Sequence, residues 1–222
     1  KTGEIRDWGV KVIIGSVTDT AVVKEAMQGV DVVHHLAAAF RELDVSNTYY
    51  HEVNVGGAKI VLDAAVAAGV KRFIYCSTCG VHGNVKNPPA NEDAPIAAAD
   101  YYQQTKYEAE PLVHEYQQQG LKTVILRPAA IYGPGDPERF GMIFRRAAKG
   151  SFPIFGSGKA FYHPLYIDNF VDALERVTHE GVGNGRTYLI ADKEYVTIED
   201  LVGRVASAMD RPVRTPHLPF WP

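Results

Sequence analysis

Cysteine is scarce: the 222 residues hold two, in Cys76-Ser77-Thr78-Cys79. C-x-x-C can be a redox motif or half of a zinc site. A zinc site of that type needs a second ligand pair, and none occurs. A redox pair belongs at a helix N-terminus, where thiolate is favoured, whereas this one ends a strand-like run. No metal is therefore expected. Long apolar runs are also missing, and nothing approaches the roughly 20 residues that span a bilayer. An excess of one charge sign is missing too. The net charge is −3 and the pI about 6.3, so no overall field draws nucleic acid or anionic lipid. The start, Lys1-Thr2-Gly3-Glu4, does not read as a signal peptide. There is no internal repeat, low-complexity tract or disordered linker. These absences lead us to expect a cytoplasmic protein with no nucleic-acid or membrane partner.

What is present suits a soluble globular chain, 46% hydrophobic and 22% charged, of one domain or one and a half. Val10-Lys11-Val12-Ile13-Ile14 is β-branched and predicts a strand. Thr18-Asp19 caps a helix from Ala21 to Gln28, stopped by Gly29. Val30 to Leu36 predicts a second strand, ending in the small residues Ala37, Ala38 and Ala39. A long helix is expected from Ser46 to Ala68, a third strand from Lys71 to Ser77, and a loop from Asn87 to Ala99. One helix then runs from about Tyr101 to Gly120, and a fourth strand from Leu121 to Leu126. Alternating strands and helices imply a parallel sheet with right-handed crossovers. The expected fold class is thus α/β, a doubly wound, Rossmann-like parallel sheet over 1–130, followed by a smaller mixed α/β substrate-binding part over 131–222. In that second part we expect a helix from Phe140 to Lys149, a strand pair within Pro153–Tyr166, a helix from Asp168 to Thr178, a strand from Thr187 to Ile190, and a helix opened by the capping signal Thr197-Ile198-Glu199-Asp200.

Ligands of such sheets bind beyond the carboxyl ends of the strands, which places Leu36-Ala37-Ala38, Ser77-Thr78 and Arg127-Pro128 on one rim. Close by in sequence, Tyr102 and Lys106 stand four apart, a spacing that stacks two side chains on one helix face. An ammonium beside a phenol favours phenolate, so the pair could pass a proton to or from an alcohol near neutral pH. Y-x-x-x-K alone is a common pattern, and a surface helix can carry it by chance.

Several stretches, in order, resemble the extended short-chain dehydrogenases/reductases, the NAD-dependent epimerase/dehydratase group. They are Val32-Val33-His34-His35-Leu36-Ala37-Ala38, Asn54-Val55-Gly56-Gly57, Tyr75-Cys76-Ser77-Thr78 with Val81-His82-Gly83, Tyr102 through Glu110, Leu126-Arg127-Pro128 with Ile131-Tyr132-Gly133-Pro134-Gly135, and Leu165-Tyr166-Ile167-Asp168-Asn169. The resemblance implies that Tyr102 is the acid/base, that Lys106 lowers its pKa and binds the nicotinamide ribose, and that Thr78 hydrogen-bonds the reacting oxygen. It implies NAD or NADP as cofactor, beside Ser16, Val17, Leu36, Ala37, Ala38, Asn54, Ser77, Tyr102, Lys106, Pro128 and Ile131. Thr78, Cys79, Ala130 and Tyr162 would face a small-molecule substrate. It also implies a homodimer through the helices around Ser46–Ala68 and Tyr101–Gln119. His34 and His35 read as packing residues, and His82 stands where the group often has Tyr.

The chain departs from the group in three ways. No G-x-G-x-x-G or G-x-x-G-x-x-G occurs, so the glycine turn and first βα unit that would cradle a pyrophosphate are missing. Ser16 stands where Asp is usual near the adenine. Ala130 and Tyr162 replace the Asn and Arg that hold a nucleotide sugar's diphosphate. The expectation is an NAD(P)-dependent oxidoreductase acting at a secondary alcohol or ketone. A nucleotide-sugar epimerase or dehydratase, and a non-catalytic NAD-fold scaffold, stay open as alternatives.

Overall fold

The structure, a computed structural model, describes residues 2–42, 44–136, 140–179 and 181–219. The chain divides into two units. The first is Lys1–Arg127 with Glu175–Leu189, and the second is Pro128–Leu174 with Ile190–Pro222.

The first unit is built on four strands in the order β1-β2-β3-β8, namely β1 (Val32–His35), β2 (Arg72–Cys76), β3 (Lys122–Pro128) and β8 (Arg186–Ile190). β1 runs parallel to β2, and β2 parallel to β3. Side chains alternate along each strand, so Phe73, Tyr75 and Ile125 join one core. That core holds Val23 and Met27 of α2 (Thr20–Ala26), Ala58, Val61, Leu62 and Ala65 of α4 (Gly57–Ala67), and Val113 of α6 (Glu110–Gln118). Ile74, Val124 and Leu126 are buried on the opposite face. Rows buried on both sides explain the continuous apolar strands. The guanidinium of Arg72 is spent structurally, donating to the carbonyls of Val177 and Val182 and to Asn184 Oδ1.

Two local expectations are corrected here. Val10–Ile14 forms no strand among the described residues, and Val10 and Ile14 are exposed. β-branched composition permits extended chain, but a strand needs a neighbour to pair with, and among the described residues this stretch joins no ladder. The helix from Tyr101 breaks at Ala109 into α5 (Tyr101–Glu108) and α6. Pro111 is the cause, since it has no N–H and its ring opposes a preceding helical turn. The Ser46–Ala68 helix is continuous in outline. It comprises α3 (Asn47–His51) capped by the Ser46 hydroxyl, a π-helical turn (Glu52–Gly56), and α4.

In the second unit, β4 (Ala130–Tyr132) pairs in parallel with β7 (Pro164–Tyr166), β6 (Phe161–Tyr162) pairs antiparallel with β9 (Val196–Thr197), and β5 (Ile154–Phe155) pairs with β10 (His217–Leu218). The expected strand pair within 153–166 is therefore three strands, each with a partner outside that stretch. A turn at Gly156-Ser157-Gly158 suggested a hairpin, but the ladder partners lie far away in sequence. Helices α7 (Phe140–Ala148), α8 (Ile167–Thr178) and α9 (Ile198–Ala208) fall where the pattern placed them. α9 opens on a full capping box between Thr197 and Asp200.

Candidate active site

The site is assembled at the carboxyl ends of β1 and β2. The Ser77 amide continues the ladder of β2, donating to the Leu126 carbonyl at 2.7 Å. Thr78 is extended, and its hydroxyl accepts from the Gly80 N–H at 3.1 Å, starting a 3₁₀ turn over Cys79–His82. Gly80 abuts α5 closely: a Cβ there would lie 3.0 Å from the Gln103 side chain. Asp100 caps α5 by accepting from Gln103 N at 2.8 Å, and Gln103 Oε1 accepts from Ala99 N at 2.7 Å. The turn that carries Thr78 is thereby docked on the first turn of the helix that carries Tyr102 and Lys106.

Tyr102 is half-buried, and its ring stands 4.7 Å from that of Phe40. Lys106 is 1% exposed. Its ammonium lies 4.3 Å from the centroid of the Tyr75 ring, a cation–π contact. Tyr75 in turn donates its hydroxyl proton to the Lys106 carbonyl at 3.2 Å. Burial lowers the Lys106 pKa to about 8, opposed by the nearby Cys76 and Glu110. The lysine is thus still an ammonium at neutral pH and supplies positive charge on the Tyr102 helix. His35 is packed near the Phe73 and Tyr75 rings. Burial, and secondarily Lys106, lowers its pKa to about 3, so the imidazole is neutral. Its Nε2 is buried without a hydrogen-bond partner.

Asn54, in the π turn, is fully buried. Its Oδ1 accepts from Ala39 N at 2.8 Å, and its Nδ2 donates to Ala39 O at 3.2 Å and to Thr105 Oγ1 at 2.9 Å. Both of its N–H donors therefore tie the loop after β1 to the helix of Tyr102. π turns often occur at functional sites. Leu36 and Ala37 are exposed and Ala38 half-exposed at the end of β1, leaving open backbone on this rim. Ser16 is exposed and hydrogen-bonded to Thr18, while Val17 packs on Gly57 and the core. Cys79 is half-buried, and Cys76 and Cys79 form no disulfide. Among the described residues, no group of three or more His, Cys, Asp or Glu could hold a metal.

The first unit thus gathers Leu36–Ala38, Asn54, Ser77, Thr78, Tyr102 and Lys106 on connected elements. Pro128, Ala130, Ile131 and Tyr162 belong to the second unit. There the Tyr162 ring packs 5.8 Å from that of Phe140, beside an apolar cavity of about 490 Å³ lined by Tyr132, Phe140, Val196 and Leu201.

Sequence reasoning missed one cluster. Glu110 accepts from Ser77 Oγ at 2.6 Å, from Arg127 Nε at 3.0 Å and from Arg127 Nη2 at 2.6 Å. Arg127 Nη1 donates to His82 Nε2 at 3.0 Å, so His82 carries its proton on Nδ1, which donates to Pro95 O at 3.2 Å. Glu110 and Arg127 lie in motif stretches already singled out, but their pairing across 17 residues has no local signal.

These residues fit the nicotinamide and ribose end of a dinucleotide: a half-buried phenol, a buried ammonium and an open strand end. They offer no cradle for its pyrophosphate at α2, whose first N–H groups, of Ala21 and Val22, are taken by the Asp19 carboxylate.

Fold and site together define a Rossmann-like protein with a Tyr–Lys helix at the rim of a parallel sheet. The chain belongs to the NAD dependent epimerase/dehydratase family, whose model matches residues 1–191. It is 29% identical over 211 residues to the N-acetyl-alpha-D-glucosaminyl-diphospho-ditrans,octacis-undecaprenol 4-epimerase of Escherichia coli O157:H7, covering 93% of this chain and 63% of that protein. It is 32% identical over 227 residues to a 2-alkyl-3-oxoalkanoate reductase of Stenotrophomonas maltophilia, covering 94% of this chain and 66% of that one. The structure of a dTDP-glucose 4,6-dehydratase double mutant from Streptomyces venezuelae, with NAD bound, superposes with a TM-score of 0.79 at 25% identity, covering 91% of this chain and 66% of that chain. The chain thus spans less than two thirds of the length of each of the three. No described helix is long and apolar enough to cross a membrane.

Proposed function

We propose that the chain carries the catalytic side of an NAD(P)-dependent oxidoreductase acting on a secondary alcohol or ketone. The observation that carries this reading is the Tyr102–Lys106 helix, docked through Gln103 on the turn that presents Thr78. When bound, the nicotinamide supplies the hydride chemistry. In the oxidation direction, Tyr102 takes the hydroxyl proton as the hydride leaves carbon, and Thr78 donates a hydrogen bond to the oxygen. Lys106, one helical turn along from Tyr102, would supply the positive charge that favours phenolate. The reductase relative and the NAD bound to the dehydratase support the reading.

A nucleotide-sugar epimerase is the second reading, favoured by the epimerase relative. Ala130 and Tyr162 weigh against it, because neither replaces the amide and guanidinium expected to grip a diphosphate. A homodimer through the helices around Ser46–Ala68 and Tyr101–Gln119 is part of the proposal, with Val66 exposed on the first of them; a monomer by sedimentation at high concentration would remove it.

The test is turnover of a panel of secondary alcohols with NAD and with NADP, for the wild-type chain and Tyr102→Phe. Loss of the acid/base should lower kcat by about 10²–10⁴-fold. Undiminished turnover by Tyr102→Phe would sink the assignment.

A further inference from the structure

Glu110 is 2% exposed, Ser77 2% and Arg127 6%, so their hydrogen bonds are made away from water, where a lost partner leaves a buried charge. Each partner of the Glu110 carboxylate belongs to a different part of the site. Ser77 immediately precedes Thr78. Arg127 lies in β3 and reaches His82, at the end of the turn that Thr78 opens. Glu110 itself starts α6, directly after the helix of Tyr102 and Lys106. It is four residues beyond Lys106, whose ammonium it favours.

We propose that Glu110 is a positioning residue: its carboxylate, gripped by Ser77 and Arg127, locks the strand end bearing Thr78 against the helix bearing Lys106 and fixes where its negative charge lies relative to that helix. The inference deepens the function proposed above and rests on it for its meaning, but the geometry needs no bound ligand. Both oxygens are engaged, by a fork of two Arg127 N–H groups and by one hydroxyl. A bidentate Arg–carboxylate pair fixes direction as well as distance. His82 extends the lock to the loop carrying Pro95 and Glu92, whose carbonyls accept from His82 and Arg127. The charged and titratable groups around the carboxylate are Arg127, Lys106, Tyr75, Cys76 and His82.

The experiment is an NMR titration of the ¹⁵N-labelled lysine side chains of the whole chain, with the Lys106 signal assigned by Lys106→Met. In wild type Lys106 should titrate near 8. In Glu110→Gln, which leaves Arg127 uncompensated, the midpoint should fall below the wild-type value. In Arg127→Gln, which leaves the carboxylate uncompensated, it should move the other way, and Glu110→Asp should restore the wild-type value. A part that merely supports the fold would not give shifts of opposite sign. In turnover, the pH limb of kcat should follow the Lys106 midpoint in each variant. A Lys106 midpoint unchanged in folded Glu110→Gln or Arg127→Gln overturns the proposal. Because the titration needs neither cofactor nor substrate, it stands even if no oxidoreductase activity is found.

Discussion

His35 makes the sharpest statement about pH at the scale of one residue. Its pKa in the fold is about 3 against an ordinary 6.5, and burial is the first cause. Above pH 6.5 the ring is neutral both folded and unfolded, and it costs nothing. As the pH falls from 6.5 towards 3, the unfolded chain takes up a proton that the folded chain refuses, so stability drains away over that window. The slope of about 1.4 kcal/mol per pH unit gives a loss on the order of 2 kcal/mol by pH 5. Urea unfolding at pH 7 and pH 5 should show that loss in wild type, and most of it should vanish in His35→Leu, which also removes the unpartnered Nε2. Equal acid sensitivity in both proteins would show that His35 opens to water. Lys106 works in the opposite range. Its pKa is lowered from 10.5 to about 8, so its burial costs stability below pH 8, and that cost lifts as the pH climbs towards 10.5. The placement of the candidate residues was legible because their spacing is local: Tyr102 and Lys106 lie one helical turn apart, and Ser77-Thr78 end a strand. The roles of Arg72 and Glu110 were not, because their partners lie far along the chain and no local pattern announces the pairing, even though Glu110 closes a motif stretch.

Among the elements, those bounded by caps and glycines and the four strands of the main sheet were read well, and the Val10–Ile14 and 153–166 strand pairings were not. Asp19, Ser46, Asp100 and Thr197 all cap helices with their side chains, because the free N–H groups of a helix start select such residues. Val10–Ile14 and the 153–166 stretch failed because a strand is a relation between two segments, and composition describes only one. The Val81-His82-Gly83 turn shows where a single glycine decides an element. Gly83 has φ of +57° and ψ of −137°, and a Cβ there would run into the Ala97 carbonyl oxygen. That oxygen belongs to backbone held in place by the hydrogen bond from Ala97 N to Val81 O at 2.9 Å, so it cannot swing aside as a side chain would. Gly83→Ala should therefore destabilise by at least about 2 kcal/mol. It should also strip the Ala97 amide of hydrogen-exchange protection, as the loop detaches from the turn that presents Thr78. A wild-type melting temperature with a protected Ala97 amide would show that the loop yields more readily than its contacts indicate.

For the whole molecule the question is how tightly these 222 residues hold a dinucleotide. A Rossmann site draws much of its grip from a glycine turn whose N–H groups, at the start of a helix, meet the pyrophosphate. The chain contains no such turn. The helix start at α2 is occupied instead: Asp19 Oδ1 accepts from Ala21 N at 2.9 Å and from Val22 N at 3.3 Å, and its carboxylate would repel a phosphate. The remaining candidates, Ser77, Tyr102 and Lys106, would on the proposed reading serve the ribose and nicotinamide. Forgoing two charge-assisted hydrogen bonds at about 1.5–3 kcal/mol each, with about tenfold in affinity for every 1.4 kcal/mol, moves a micromolar site towards millimolar. Calorimetry with NADH and with NADPH should therefore give dissociation constants roughly in the millimolar range, and Lys106→Met should weaken the residual binding further. Low-micromolar binding of either cofactor would mean that other backbone N–H groups or basic side chains of this chain take the place of the glycine turn. The loop after β1, held by Asn54 through both polar groups of Ala39, is where we would look first, because it is the part of the rim whose geometry is most firmly fixed.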